Sequence, residues 1–391
     1  MMKITWSVED SEFRARLRAF LAEHPPGKPP RDSAARLQWQ KDWASAKFDS
    51  GWAGPSWPTQ YGGMNLSFAR QVIYHQEMAA ARAPAHPGSG IDIVGPTLIK
   101  YGSSAQRERF LRPMLRGDEL WAQAFSEPDA GSDLPALRTS AVRDGGEYVI
   151  NGQKVWNTSA DVADMLFALV RTGTPDSRQK GISYLLLDAR SEGVTVRPLR
   201  DMTGGQHFCE IFFDNVRVPV ANRIGEENEG WRIARTSLGH ERSAGALNQA
   251  AFYRRVMDEL IKLATSTGVT KDAGVRRRLA DFDMRARLME INATRMVLSL
   301  VATGEPGAAS SVSRLYNTEF EKELHAFATD LLGVKGALTG ADPPAVDRGR
   351  WVTGMLFTRA STIGAGTAEI QRNTIAEQVL GLPFDPAMPA R

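Results

Sequence analysis

The sequence predicts an α+β chain in three successive parts: an amino-terminal helical domain over residues 1–120, a β domain over 121–228 and a carboxy-terminal helical domain over 229–391. Three observations carry this reading. Apolar residues recur at helical spacing before about residue 120 and again after Gly230. Between them, short runs rich in aliphatic and aromatic residues alternate with Gly, Asn and Asp. No internal repeat or low-complexity tract interrupts this order.

In the first part, Phe13, Leu17, Phe20 and Leu21 mark a helix that Ser11 or Asp10 can cap and Pro25-Pro26 ends. A loop over 51–63 follows, and helical patterns resume at Ala69–Met78 and Ser104–Arg116. In the middle part, Asn151-Gly152 between Tyr148–Ile150 and Gln153–Trp156 predicts a hairpin with a type I′ turn. Further strands are expected at Met165–Val170, Ile182–Leu187, Val194–Val196 and Cys209–Phe213. The last part predicts helices at Trp231–Leu247, Ala251–Leu263, Val275–Val297 and Val312–Leu332, with a glycine-containing break at Leu332–Gly340.

Composition narrows the function. The 48 basic and 45 acidic residues leave +3, compatible with an anionic small ligand and too small an excess to argue for nucleic acid. Cys209 is the only cysteine, which rules out an intrachain disulfide or a multi-cysteine metal site; no metal centre is expected. Its setting among Phe and Ile suggests a buried, inert thiol. The amino terminus lacks a secretory apolar core, and no apolar run approaches the roughly 20 residues of a membrane span. A cytoplasmic protein is expected.

Two stretches carry chemistry. The first, Ala124-Phe-Ser-Glu-Pro-Asp-Ala-Gly-Ser-Asp133, read alone is a polar turn. It is followed by Trp156-Asn157-Thr158-Ser159, an aromatic plate two residues from a hydroxyl, and an isoalloxazine ring needs such partners. The second, Gly364-Ala-Gly-Thr-Ala-Glu-Ile-Gln-Arg-Asn373, is a glycine-rich loop in which Thr367 can cap a helix whose free N–H groups suit an anion.

Both stretches resemble signatures of the acyl-CoA dehydrogenase family, and the matching texture extends from about Gly51 to Leu382. The main departure in the first is Phe125, where an aliphatic residue is more usual. The resemblance implies an FAD enzyme with a helical domain, a central β-barrel or sheet, and a carboxy-terminal helical bundle. It implies that Phe125 and Ser126 contact the flavin, that Trp156 lies against it and that Thr158 bonds near its N5 edge. Gly131 and Ser132 would lie along the cofactor or CoA path, and Thr367 and Glu369 would touch FAD. Asp330 and Gly333 match, less closely, a loop that reaches a neighbouring subunit's FAD. Electron-transferring flavoprotein is the acceptor the resemblance implies.

Ala365 stands where many members carry the glutamate base, and alanine accepts no proton. Either the base lies elsewhere or the chain is inactive. The residue 365 amide remains, and family precedent makes it a donor to the thioester carbonyl. Trp231, Ala234, Leu238 and Glu241 share one helix face, continued by Gly245, whose missing side chain would leave room for a ligand. On spacing alone Glu241 reads as a salt-bridged helical residue. A subset of the family, including isovaleryl-CoA enzymes, carries its base on this helix in a Glu-Arg pair, which Glu241-Arg242 matches. The resemblance then implies that Glu241 removes the α-proton while the flavin accepts the β-hydride, with Arg242 supporting the site; His240 should face elsewhere.

The substrate implied is an acyl-CoA, with a branched or bulky acyl group favoured by the room at Ala365. Three other readings stay open. The family's Arg-x-x-Phe-Gly-like segment, which grips a neighbour's FAD, is missing from Thr267–Arg276. The chain could thus be one subunit of a heteromeric dehydrogenase for bulky acyl-CoAs rather than a self-sufficient homo-oligomer. An oxygen-using oxidase or monooxygenase and a non-enzymatic binding protein are the others.

Overall fold

A computed structural model describes residues 6–244, 246–303, 309–340, 342 and 344–383, without the side chains of 240–248 and 297–309. The chain folds as two compact units, one up to Glu241 and one from Arg242 onward.

The first unit begins with α1 (Val8–Glu23), α2 (Ser33–Asp49), α3 (Phe68–Ala80), α4 (Gly95–Tyr101) and α5 (Ser104–Arg116). The α1 cap is Ser7, earlier than Ser11 or Asp10. Its hydroxyl accepts from the Asp10 amide at 3.1 Å while the Asp10 carboxylate accepts from the Ser7 amide at 3.2 Å. Phe13, Leu17 and Phe20 are buried with Trp43, Ile73, Tyr74 and Met78, and Leu21 packs at the edge. In α5 the apolar stripe Phe110, Leu111, Met114 and Leu115 faces the core, and Gly117 at φ 86° ends the helix.

Eight strands follow in one sheet: β1 (Trp121–Ala124), β2 (Ser140–Asp144), β3 (Glu147–Thr158), β4 (Met165–Arg171), β5 (Ile182–Asp188), β6 (Val194–Leu199), β7 (Phe208–Pro219) and β8 (Arg223–Ile224). Their order is β6-β7-β3-β2-β4-β5-β8, with β1 parallel to β4. Strand β4 is buried on both faces. Phe167 and Leu169 join the core shared with α4 and α5, whereas Leu166, Ala168 and Val170 join a second core with Tyr148, Ile150 and Ile211. Cys209 belongs to that second core, and burial pushes its thiol pKa up.

The expected hairpin at Asn151-Gly152 is not there. Strand β3 runs through these residues, and the turn joining it to β2 is Gly145-Gly146, between paired Asp144 and Glu147. Gly145-Gly146 is itself a two-residue hairpin signal, and Asn151 is instead held across strands, its side chain accepting from the Asn215 amide at 2.9 Å and donating to the Asn215 side chain at 3.2 Å. The extra residue at this point lies on β7, since Ile150 faces Val216 and Gly152 faces Phe213. Gly152, at φ 149°, is required, because a Cβ would sit 2.7 Å from the Thr139 Cα. Gly152→Ala is expected to cost about 2–3 kcal/mol, read as a lower urea midpoint at unchanged slope.

After β8 comes α6 (Gly230–Ala244), within which the first unit ends at Glu241. Ile233 and Ala234 are buried in the α4–α5 core, and Trp231 and Leu238 pack against it. Ser237 hydrogen-bonds Thr97 at 2.7 Å, fixing α6 on α4. The second unit contains α7 (Ala246–Ser266), α8 (Ala273–Thr303), α9 (Ala309–Leu331), α10 (Arg350–Ser361) and α11 (Ala368–Thr374) around Met257, Leu260, Phe282, Phe320, Leu324 and Trp351. The predicted break after α9 is a short 3₁₀ turn, Gly333–Ala337. No helix among the described residues is long and apolar enough to cross a membrane.

Candidate active site

The two flavin-signature segments of the first unit are adjacent. The Val155 amide donates to the Ser126 carbonyl at 2.9 Å, which sets the end of β3 beside the turn after β1. Between Lys154 and Asn157, β3 carries one residue more than β7. The bulge puts Trp156 at φ 64°, a left-handed conformation that costs an aromatic residue of order 1–3 kcal/mol. Its effect is to re-aim the ring. Trp156 is 63% exposed and meets Phe208 edge-on, while Asn157 turns inward and donates to the Gln123 carbonyl at 2.7 Å.

The hydroxyls of Ser126 and Thr158 accept and donate no hydrogen bond among the described residues, and Thr158 is exposed. An exposed flat ring and unpaired hydroxyls on two adjoining segments are the stacking and hydrogen-bonding partners an isoalloxazine needs, so these residue types fit a flavin. The Phe125 ring is committed elsewhere, packed edge-on against Phe167 at 5.7 Å and Tyr184 at 5.6 Å. Only its main chain is left to meet a ligand, and its carbonyl accepts from Lys154 Nζ at 2.9 Å. Gly131, Ser132 and Asp133 form an exposed stretch after the tight Glu127–Ala130 turn. A Cβ on Gly131 would meet nothing within 4 Å, so that glycine leaves open space.

Lys154 and Glu127 were not singled out in the sequence, yet they anchor this region. Lys154 is fully buried and pairs with Glu127 at 2.8 Å. Glu127 also accepts from the Arg138 amide at 2.6 Å and the Thr139 amide at 2.9 Å. Burial raises the Glu127 pKa, but Lys154 and these hydrogen bonds outweigh it and hold the carboxyl below its usual range. Burial lowers the Lys154 pKa, against the opposing pull of Glu127. The available signal was strand period: Tyr148, Ile150 and Lys154 occupy inward positions of β3, and an inward lysine demands a partner.

In the second unit, the loop before α11 is built as a cap. Thr367 accepts from the Ile370 amide at 3.1 Å. Ala365 takes φ 52°, and Gln371 Nε2 donates to the carbonyls of Ala365 and Gly366, each at 3.3 Å. Arg314 donates to the Gly364 carbonyl at 2.9 Å. The carbonyls on both sides are thus held, which orients the residue 365 amide within a fixed loop. Glu369 is exposed and pairs with Arg372 at 3.3 Å. Asp330 and Gly333 are exposed at the end of α9. Thr367→Ala is expected to lower the thermal midpoint, at a cost of about 1 kcal/mol for the lost cap.

The backbone of Glu241 lies in α6, three residues beyond Leu238 on the stripe that Trp231 and Ala234 begin. The side chains of His240, Glu241 and Arg242, and Gly245 entirely, lie outside the described residues.

Sequence models of the acyl-CoA dehydrogenase amino-terminal, middle and carboxy-terminal domains match residues 7–118, 122–216 and 228–380. The chain belongs to the acyl-CoA dehydrogenase family. It is therefore an oxidoreductase of a flavoprotein family active in lipid catabolism. It is 37% identical to acyl-CoA dehydrogenase IpdE1 of Mycobacterium tuberculosis over 382 residues, covering 95% of this chain and 97% of that one. Among solved structures, the Tcur3481-Tcur3483 steroid ACAD superposes with TM-score 0.85 at 31% identity, covering 98% of this chain and 100% of that one. The ChsE4-ChsE5 complex of Mycobacterium tuberculosis gives TM-score 0.83 at 33% identity, with coverage of 98% and 100%. Acyl-CoA dehydrogenase structures with the same helical, sheet and helical parts thus share the fold.

Proposed function

We propose that this chain catalyses FAD-dependent α,β-dehydrogenation of an acyl-CoA thioester to the trans-2-enoyl-CoA. The observation that carries the proposal is the β3 bulge, which spends backbone strain to expose Trp156 on the strand that carries Thr158 and that bonds the Ser126 carbonyl through Val155. Trp156 would back the flavin, Ser126, Thr158 and the Phe125 main chain would bond it, and Gly131, Thr367 and Glu369 would lie along it. Asp330 and Gly333 would approach a neighbouring subunit's FAD. FAD, when bound, supplies the acceptor for the hydride leaving the β-carbon.

The protein's own part is the α-proton. Glu241 removes it from Cα, on a face whose preceding residues are packed in an apolar core. The residue 365 amide donates to the thioester carbonyl, where negative charge grows as the proton leaves. Ser132 would lie along the CoA path, and Arg242 would support the charge balance. Electron-transferring flavoprotein would reoxidise the enzyme in the cytoplasm.

Similarity to a dehydrogenase named for steroids, together with the small residue at 365, supports a bulky, steroid-like acyl group. Two of the solved relatives carry the names of two chains each, which supports pairing with a homologous subunit over a homo-oligomer. The missing Arg-x-x-Phe-Gly-like segment in residues 267–276 points the same way. The test is anaerobic titration of the purified flavoprotein, alone and co-purified with a homologous subunit, using straight, branched and steroid side-chain acyl-CoAs. Bleaching of the flavin band by a bulky thioester is expected. A flavin-loaded protein that no thioester reduces would refute the activity.

A further inference from the structure

We infer that the buried Lys154–Glu127 pair is a positioning device for the flavin face, and that it sets cofactor affinity without touching the cofactor. This role rests on the FAD-dependent activity proposed above and deepens it.

The geometry is specific. Strand β3 must leave regular pairing one residue after Lys154, because Trp156 turns outward only through the bulge. A bulge left to itself has alternative registers, so something must fix where β3 departs from the sheet. Lys154 does this from the inside. Its ammonium reaches the Phe125 carbonyl at 2.9 Å and Glu127 at 2.8 Å, the residues on either side of Ser126. The Val155 amide donates to the Ser126 carbonyl itself at 2.9 Å. Three consecutive residues of one segment are therefore tied to two consecutive residues of the other. Glu127 extends the tie to a third segment through the Arg138 and Thr139 amides.

The charge pair is placed where a purely structural strand would carry an aliphatic residue. Lys154 lies beside Val155, and the inward positions Tyr148 and Ile150 on the same strand are fully buried. A Met at 154 would fill comparable volume and would lose both contacts that register Phe125 and Glu127 against β3. The Ser126 hydroxyl and the Trp156 ring would then keep their identities and lose their relative placement. A displacement of this kind, of order 1 Å, is enough to change affinity and chemistry by large factors.

Three variants of the full protein, co-purified with any homologous subunit, separate positioning from plain stability. Lys154→Met and Glu127→Gln break the tie. Tyr148→Phe is the control, since it removes a buried hydroxyl from the same strand. That hydroxyl bonds Glu227 at 2.5 Å and Arg223 at 2.8 Å, away from the Ser126 segment. The measurements are the FAD dissociation constant by fluorescence at a temperature where all variants are folded, the flavin absorbance spectrum, and hydrogen exchange of peptides spanning 124–130 and 153–159. Lys154→Met is expected to weaken FAD binding by about tenfold or more, to alter the flavin band and to speed exchange in both peptides. Tyr148→Phe is expected to lower the unfolding midpoint and leave all three unchanged. Native-like FAD affinity in folded Lys154→Met would overturn the positioning role alone, as would equal weakening by Tyr148→Phe. A native protein that binds no FAD would overturn the proposed activity, and the positioning role with it.

Discussion

Glu241→Gln is expected to keep its flavin and its fold while losing reduction by acyl-CoA by about a thousandfold, within the 10²–10⁴ range that a positioned general base supplies. Ala365 cannot accept a proton where many family members have their base, so the proposed dehydrogenation needs a base on another element. The proposal places it on helix α6. Trp231, Ala234 and Leu238 pack the same stripe into the α4–α5 core, and Glu241 is the next residue on that stripe. Gln keeps shape and hydrogen-bonding capacity and removes the basicity. Rapid mixing under anaerobic conditions, following the flavin band, reads the rate directly. An unchanged rate would remove Glu241 from the mechanism.

The second large effect is on stability. Lys154→Met leaves the Glu127 carboxylate buried without its cation and is expected to cost about 3–5 kcal/mol. Glu127→Gln/Lys154→Met removes both charges, and is expected to be more stable than the sum of the single losses predicts, by about 1–3 kcal/mol. The reason is the asymmetry between breaking a pair and removing it. Chemical denaturation of the four proteins closes the cycle. Strict additivity would mean that the 2.8 Å pair contributes nothing beyond its separate parts.

Much of the fold was legible in the sequence. Periodic stripes located α3, α5, α8 and α9, and Thr367 caps α11 as expected. Strand β4 was found as a continuous apolar run because both of its faces are buried. Other features depended on partners far along the chain. Asn151-Gly152 satisfies the rule for a hairpin turn, but so does Gly145-Gly146 six residues earlier, where the turn forms, and Asn151 instead bonds Asn215 on β7, 64 residues away. The short strands β1, β2 and β8 carry little pattern of their own and are held by neighbouring strands.

The site divides the same way. Residue types at Ser126, Trp156 and Thr158 pointed to the proposed chemistry. No local pattern signals that Trp156 reaches the surface through a bulge, or that Phe125 turns its ring into the core. Lys154 and Glu127 were visible as charges and silent as a pair, because their contact spans 27 residues and three segments.

The most direct measurement of the proposed activity is product analysis after anaerobic mixing of the flavoprotein with an equimolar bulky acyl-CoA, such as a steroid side-chain thioester. The predicted result is that the flavin band bleaches and that the thioester loses two hydrogens to become the 2-enoyl-CoA, in matching amounts. A flavin that stays oxidised against such thioesters, or one that bleaches without enoyl product, would contradict it.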